Sequence, residues 1–378
     1  MSDPVLVVIF LRGGADALAL CAPTADPAYI AARPPGLRTL RDGDTPGLPM
    51  GEALADADFR LHPAAAALHD LFTAGDLSLI HATGLRESTR SHFDAEARIE
   101  RGSAQGAAGG WLGRALARLP AGAPLPALAV GTALPESLRG SPAAVAPGFS
   151  DLTLAPGHWL APGLRARLAA GFGAHPTLGA TTQDLIALSD LLLERHWDAD
   201  LWDLRPYAPS VDYPEDTDLS HPLRTVAQAI KSDLGLRIAT VDYGGWDTHA
   251  WQEGTFTALT SGLSRALMAF WRDLGPRQQD VAVVVQSEFG RRLLANASQG
   301  TDHGRAGLMM VLGPQSRGGR LLGHWPGLAH DALEDGADLA VTTDYRDVLT
   351  DILAHHLRIG DAASLFPGLT PQSTGLFA

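Results

Sequence analysis

Val281-Ala-Val-Val-Val-Gln-Ser-Glu-Phe-Gly-Arg-Arg292 is the stretch on which the fold turns. Five apolar residues in a row, then Gln, Ser and Glu, describe a strand buried on both faces that empties into a polar loop. Strands of that kind belong to sheets covered by helices, and open α/β sheets place ligands beyond the carboxyl ends of their strands. Two other loops carry matching chemistry. Gly300-Thr-Asp-His-Gly304 lies just downstream, and Tyr243-Gly-Gly-Trp-Asp-Thr-His249 lies upstream.

The surrounding chain repeats the pattern. Val5–Leu11 is a continuous apolar run, and Asp76–Ala82, Arg237–Val241 and Gly307–Leu312 also read as strands. Helical spacing appears in Leu61–Ala74, Asp184–Asp198, Pro222–Leu234, Phe256–Leu274 and Tyr345–Leu357. Strands alternating with helices predict an α/β fold: a doubly wound, mostly parallel sheet with helices on both faces. Residues 120–220 are broken by Pro and Gly and show weak periodicity. They read as an insertion or partial cap within a single domain spanning 1–378.

Composition narrows the partners. The 378 residues carry a net charge of −13, which disfavours nucleic acid or an anionic membrane as the main partner, since phosphate binding needs a basic surface. A small anionic substrate remains compatible, because a bound cation would dominate the local field. Cys21 is the one cysteine, so neither an intrachain disulfide nor a cysteine zinc cluster can form. The chain opens Met-Ser-Asp-Pro and runs directly into Val5–Leu11, a run too short to span a membrane. A cytoplasmic protein is expected from the chain as given, or a periplasmic one if a leader was removed.

Several loops could carry chemistry. Asp247 and His249 offer an oxygen and a nitrogen donor that a Gly-rich loop can fold around one cation; the alternative is an Asx-turn with a capping His. Glu288 sits directly after an apolar strand, and Arg291 or Arg292 could bind an oxyanion; the alternative is a Glu–Arg pair closing a turn. His303 is a ligand candidate, with Asp302 either ligating or orienting it. Asp16 leaves the first strand in Arg12-Gly-Gly-Ala-Asp16 and should lie at the same sheet edge. Ser88, Thr89 and Ser91 read first as N-caps. Arg90-Ser91-His92 is the subset that could include a nucleophile at a helix N-terminus. His81 reads as a core histidine.

Together, Leu11-Arg-Gly-Gly-Ala-Asp16, Arg90-Ser-His-Phe-Asp-Ala95, Gly244-Gly-Trp-Asp-Thr-His249, Ser287-Glu-Phe-Gly-Arg291 and Gly300-Thr-Asp-His-Gly304 resemble a bacterial family known as domain of unknown function 1501. The resemblance spans about residues 4 to 360. That family is similar to the alkaline phosphatase and sulfatase superfamily. The resemblance implies a two-metal site on an α/β sheet. It assigns Asp16 to one metal, Asp247 and His249 to the other, and a nucleophile to the Ser88–Ser91 region. Glu288 stands for an Asp and His303 for the last metal histidine. Phe289 stands where a His is expected and cannot ligate, so one ligand is missing.

The expected function is a metal-dependent hydrolase of a phosphate or sulfate ester. Asp16, Asp247, His249, Glu288, Asp302 and His303 are its candidate ligands, and Ser91, His92, Arg90 and Arg291 its candidate catalytic groups. The metal is a divalent ion, with Zn, Mn, Ca and Fe all considered. The alternatives are a binding or accessory protein that keeps the fold, and a single-metal enzyme of another class.

Overall fold

Val5–Leu11 forms the central strand, and every one of its residues is buried. The computed structural model describes residues 3–377 apart from 52, 53, 55, 56, 104–107, 155–160, 315 and 317. Its main sheet comprises β1 (Val5–Leu11), β2 (Leu77–Gly84), β3 (Ala127–Val130), β4 (Ala143–Ala146), β5 (Ile238–Tyr243), β6 (Val281–Ser287), β7 (Gly307–Leu312), β8 (Leu321–Leu322) and β9 (Thr343–Asp344). The spatial order is β8-β2-β7-β6-β1-β5-β3-β4, and β9 pairs with β2. β1 lies parallel to β5 and β6. Only β7, among the described strands of this sheet, runs against its neighbours β6 and β2.

Helices cover both faces, as the uninterrupted apolar strands require. The principal helices are α1 (Ala66–Thr73), α2 (His92–Arg101), α3 (Trp111–Leu116), α4 (Ser220–Lys231), α5 (Gln252–Leu274) and α6 (Tyr345–His355). Val5, Val7 and Ile9 of β1 pack with α1, α4 and α5, whereas Leu6, Val8 and Phe10 pack with α2, α3 and α6. α5 shows why the sequence makes a helix there. Phe256, Thr260, Leu263, Leu267, Phe270 and Leu274 recur every three or four residues and are all buried, so one stripe faces the sheet. Burial of each large side chain in that stripe contributes about 1.5–3 kcal/mol.

The region read as an insertion, about 120–220, is in part sheet. β3 and β4 extend the sheet beyond β5 in parallel register. Four-residue strands rich in alanine carry too little periodicity to stand out in the sequence. The rest of that region includes a helix over Leu178–His196.

The topology explains where the functional loops meet. β1, β5, β6 and β2 all point the same way, so the loops following them reach one edge of the sheet. Those loops carry residues 12–16, 244–249, 288–290 and 85–91. β7 runs the opposite way, and so the residues just before it, including His303, arrive at the same edge. An antiparallel strand thereby delivers a side chain from its N-terminal end to a site otherwise built from C-terminal ends.

Candidate metal centre

Asp247 lies at the middle of this edge. Its Oδ1 is 3.0 Å from His249 Nε2, 3.1 Å from His303 Nε2 and 3.5 Å from His92 Nε2. The donor atoms of His92, Asp247 and His303 all lie within 4.8 Å of one another. His249 Nε2 and His303 Nε2 are 2.8 Å apart. Three imidazoles and one carboxylate oxygen thus converge on one point.

The far side of each imidazole is held by an acceptor. His92 Nδ1 donates to Glu288 Oε1 at 2.7 Å, His249 Nδ1 to Asp302 Oδ1 at 3.2 Å, and His303 Nδ1 to the Arg90 carbonyl at 2.8 Å. A proton on each Nδ1 leaves a lone pair on each Nε2. Four electron-rich atoms then face one another. A proton shared by His249 and His303 and the Arg291 bond to Asp247 Oδ1 still leave His92 Nε2 without a hydrogen-bond partner, whereas a metal ion would serve all four. His92 Nε2 makes the same point alone: it is buried and has no hydrogen-bond partner among the described residues. Histidine ligands held from behind by carboxylates and a carbonyl are the usual second layer of a metal site. The residues present therefore fit a divalent ion.

The electrostatics follow from these bonds. Burial works against the Glu288 carboxylate, yet bonds from His92, Ser287 and the Gly13 N–H outweigh it and hold its pKa below the usual range. The Glu288 bond raises the His92 pKa against burial. Burial lowers that of His303. Asp247 stays below the usual carboxylate range because bonds from His303 and Arg291 exceed the cost of its burial.

Backbone packing makes the convergence possible. Gly13 has φ +120°, and a Cβ there would lie 2.4 Å from the Asp247 nitrogen. Its own N–H donates to Glu288 Oε1 at 2.8 Å. Only glycine lets the first loop approach both the Asp247 loop and Glu288. Phe289 fills the space behind the imidazoles, with ring centroids 4.9 Å from both His92 and His303.

The expected ligands are sorted by this geometry. Asp247, His249 and His303 come together as expected. His92, expected as a catalytic partner, stands among the converging donors instead. Glu288 and Asp302, expected as ligands, face Nδ1 atoms rather than the convergence point; Asn296 also donates to Asp302 at 3.0 Å. Asp16 is not part of the centre. Its carboxylate caps a short helix at Ala19 and accepts from Arg33 and Gln252, each at 2.7 Å. These partners come from segments distant in sequence, so the sequence offered no sign of them.

Two arginines are likewise committed elsewhere. Arg291 is fully buried and donates to the carbonyls of Gly13, Gly14, Thr301 and Trp246 and to Asp247 Oδ1 at 2.7 Å. It ties three loops together, and its side chain is sealed from solvent and so from a substrate. Arg90 pairs with Asp338 and Asp335. Ser91 precedes α2 as its N-cap without a capping side-chain bond, and its hydroxyl lies exposed with no described group to activate it. His81 is a core residue, as read, bonded to the Cys21 carbonyl at 2.9 Å.

A second donor group, His92, Glu96 and Glu288, also lies within 4.8 Å. Glu288 is consumed there by Gly13, Ser287 and His92. The Arg12 guanidinium sits 3.4 Å from Glu96 and also pairs with Glu100 and Asp242. That side of His92 already holds its positive charge.

Comparison with known proteins supports the reading of the motifs. Residues 225–365 match the family described as "Protein of unknown function (DUF1501)". The matched stretch contains Asp247, His249, Glu288, Asp302 and His303, so the resemblance seen in the motifs holds over it. No curated protein matches the chain. Among solved structures, the chain is similar to Ps i-CgsB in complex with k-i-k-neocarrahexaose, at 11% identity and TM-score 0.42, covering 100% of this chain and 76% of that one. It is similar to the C-terminal periplasmic domain of EcEptC from Escherichia coli in complex with Zn, at 5% identity and TM-score 0.37, covering 83% and 74%. It is also similar to the alkaline phosphatase of the Antarctic bacterium TAB5, at 8% identity and TM-score 0.32, covering 83% and 93%. These likenesses are distant, and the fold assignment rests on the topology itself.

Proposed function

We propose that this chain is a metal-dependent hydrolase of phosphate or sulfate esters, with its ion held by His92, Asp247, His249 and His303. The convergence of three Nε2 atoms on Asp247 Oδ1, each imidazole fixed from behind, carries the reading. Three nitrogens and one oxygen suit zinc, iron or manganese better than calcium, which takes oxygen ligands. A divalent ion there supplies Lewis-acid charge to an ester oxygen.

The chain's own residues do the rest. Glu288, Asp302 and the Arg90 carbonyl keep each imidazole turned with Nε2 inward. Asp247 and His249 are about half exposed on their side chains, so a small anionic ester can reach the centre from solvent. Arg292 is 40% exposed and 3.6 Å from Asp338, which makes it less committed than Arg291. Ser91 has no partner that would make it a nucleophile, so water is the attacking group in this reading.

The test is metal analysis followed by turnover. Asp247→Ala, His249→Ala and His303→Ala should each lose bound metal and, with it, hydrolysis of aryl phosphates or aryl sulfates in the presence of Zn, Mn or Fe. Full metal occupancy in all three variants would sink the assignment. A second reading, a binding protein or single-metal enzyme of another class, draws on the commitment of Arg90 and Arg291 to structural pairs. Bound metal without turnover on any ester favours it.

A further inference from the structure

The segment that carries Arg90 and leads into His92 is fastened from outside the metal centre. Residues 85–91 link the end of β2 to the start of α2. The carbonyls of Leu85, Arg86 and Glu87 all accept from the Arg305 guanidinium, at 3.2, 3.2 and 2.6 Å. Arg305 follows His303 by two residues and is itself buried. Its Nε donates to Glu334 at 2.7 Å. The last part of the segment is held by Asp338. That carboxylate is fully buried and takes Arg90 Nε at 2.8 Å, with a second bond to Arg90 Nη2.

Both fastenings act on histidines of the centre. Arg90 presents its main-chain carbonyl to His303 Nδ1 at 2.8 Å. That carbonyl can hold the ring only if the Arg90 backbone is fixed, and its side chain is anchored to Asp338. The same segment ends at Ser91, the N-cap from which His92 starts α2. The stretch Glu334–Asp338 therefore touches no candidate ligand, yet it grips the two arginines that set two of them. A carboxylate with no exposed surface, bonded to an arginine, is costly to bury unless its pairing is kept.

We propose that Asp338 is a positioning residue for the metal centre, acting through Arg90 on the orientation of His303 and the placement of His92. The proposal rests on the metal reading above. Removal of groups that orient metal histidines typically weakens metal binding about 10–100-fold. Asp338 stands one step further out, so a loss of about 10-fold is expected.

Cobalt(II) is the probe, because its visible absorption reports coordination geometry as well as binding. Wild type, Asp338→Ala, Arg90→Ala and the exposed control Asp331→Ala would be titrated with Co(II), with folding checked by circular dichroism. Arg90→Ala keeps the carbonyl that His303 uses and removes the side-chain tether to Asp338, together with the exposed pair to Asp335. The expected result is about 10-fold weaker Co(II) binding and an altered spectrum for both Asp338→Ala and Arg90→Ala, with Asp331→Ala like wild type. If Asp338→Ala fails to fold, Arg90→Ala decides alone. Wild-type affinity and spectrum in a folded Arg90→Ala or Asp338→Ala protein overturn the positioning role while leaving the metal centre intact. A wild-type protein that takes up no Co(II) overturns the metal reading itself, and the positioning role with it.

Discussion

Phe289 illustrates what a single position does here. From the sequence it is a ligand that is missing. In the fold it is buried and packs against the His92 and His303 rings. It backs both imidazoles, which themselves meet edge to face with ring centroids 4.3 Å apart. Phe289→Ala should cost roughly 3–5 kcal/mol of stability by cavity formation. It should also weaken metal binding although no ligand is touched. Thermal melts and metal titration of the variant check this, and metal affinity equal to wild type would show that Phe289 only fills space. The residue scale is also where sequence reading divided sharply. Asp247 and His249 were legible because they share one short loop after a strand, and His303 because it precedes one. Glu288 and Asp302 were legible as neighbours of the site but not in their roles. Whether a carboxylate faces a metal or the back of an imidazole depends on side-chain direction, which no spacing encodes. Asp16 and Arg291 were misread because their partners, Arg33 and Gln252 for one and four carbonyls for the other, arrive from other parts of the chain.

The hairpin of Arg291–Ala295 and Thr301–His303 is the element that sets the site's width. Its strands pair Arg291 with His303 and Ala295 with Thr301. Gly300, at its turn end, lies against the Asp247–His249 loop: a Cβ there would come within 2.3 Å of the His249 carbonyl. Backbone cannot yield as a flexible side chain does. Gly300→Ala should therefore push the hairpin from that loop, separating His303 from His249. Lower thermal stability together with weaker metal binding is expected. A variant that melts lower but binds metal normally would show that the hairpin moves as a unit without disturbing the centre. The elements themselves were readable to different degrees. Val5–Leu11 and Gly307–Leu312 formed where the apolar runs predict them. The antiparallel direction of Gly307–Leu312 was not readable, since an apolar run has no polarity. Ala127–Val130 and Ala143–Ala146 escaped notice because short alanine-rich strands match no period strongly.

At the scale of the molecule, two histidines away from the centre tie stability to pH. Burial pushes His81 down to about 4 and His62 also to about 4, from an ordinary value of 6.5. His81 is fully buried and uses both ring nitrogens, accepting from the Ala82 N–H and bonding the Cys21 carbonyl. Both rings are neutral in the fold. Between pH 6.5 and about 4 the unfolded chain binds protons that the folded chain does not. Stability is therefore level with respect to these groups above that window and falls as pH drops through it. Urea midpoints measured in the presence of a chelator should decline from pH 7.5 to pH 5. A midpoint that stays constant or rises on acidification would contradict the burial of both rings.

By itself the sequence determined the long apolar strands, the helical stripes and the polar loops at the strand ends. These follow from hydrophobic periodicity and glycine placement, which are local properties of the chain. It also determined that carboxylates and imidazoles gather at one edge of the sheet, because strand direction carries every such loop there. The tertiary structure alone decided which atoms converge. His92 joined the centre, Glu288 and Asp302 moved behind it, and Asp16 left it, through differences of a few ångströms in side-chain direction. Those differences arise from packing and hydrogen bonds among segments far apart in sequence, such as Gly13 and Glu288, 275 residues apart.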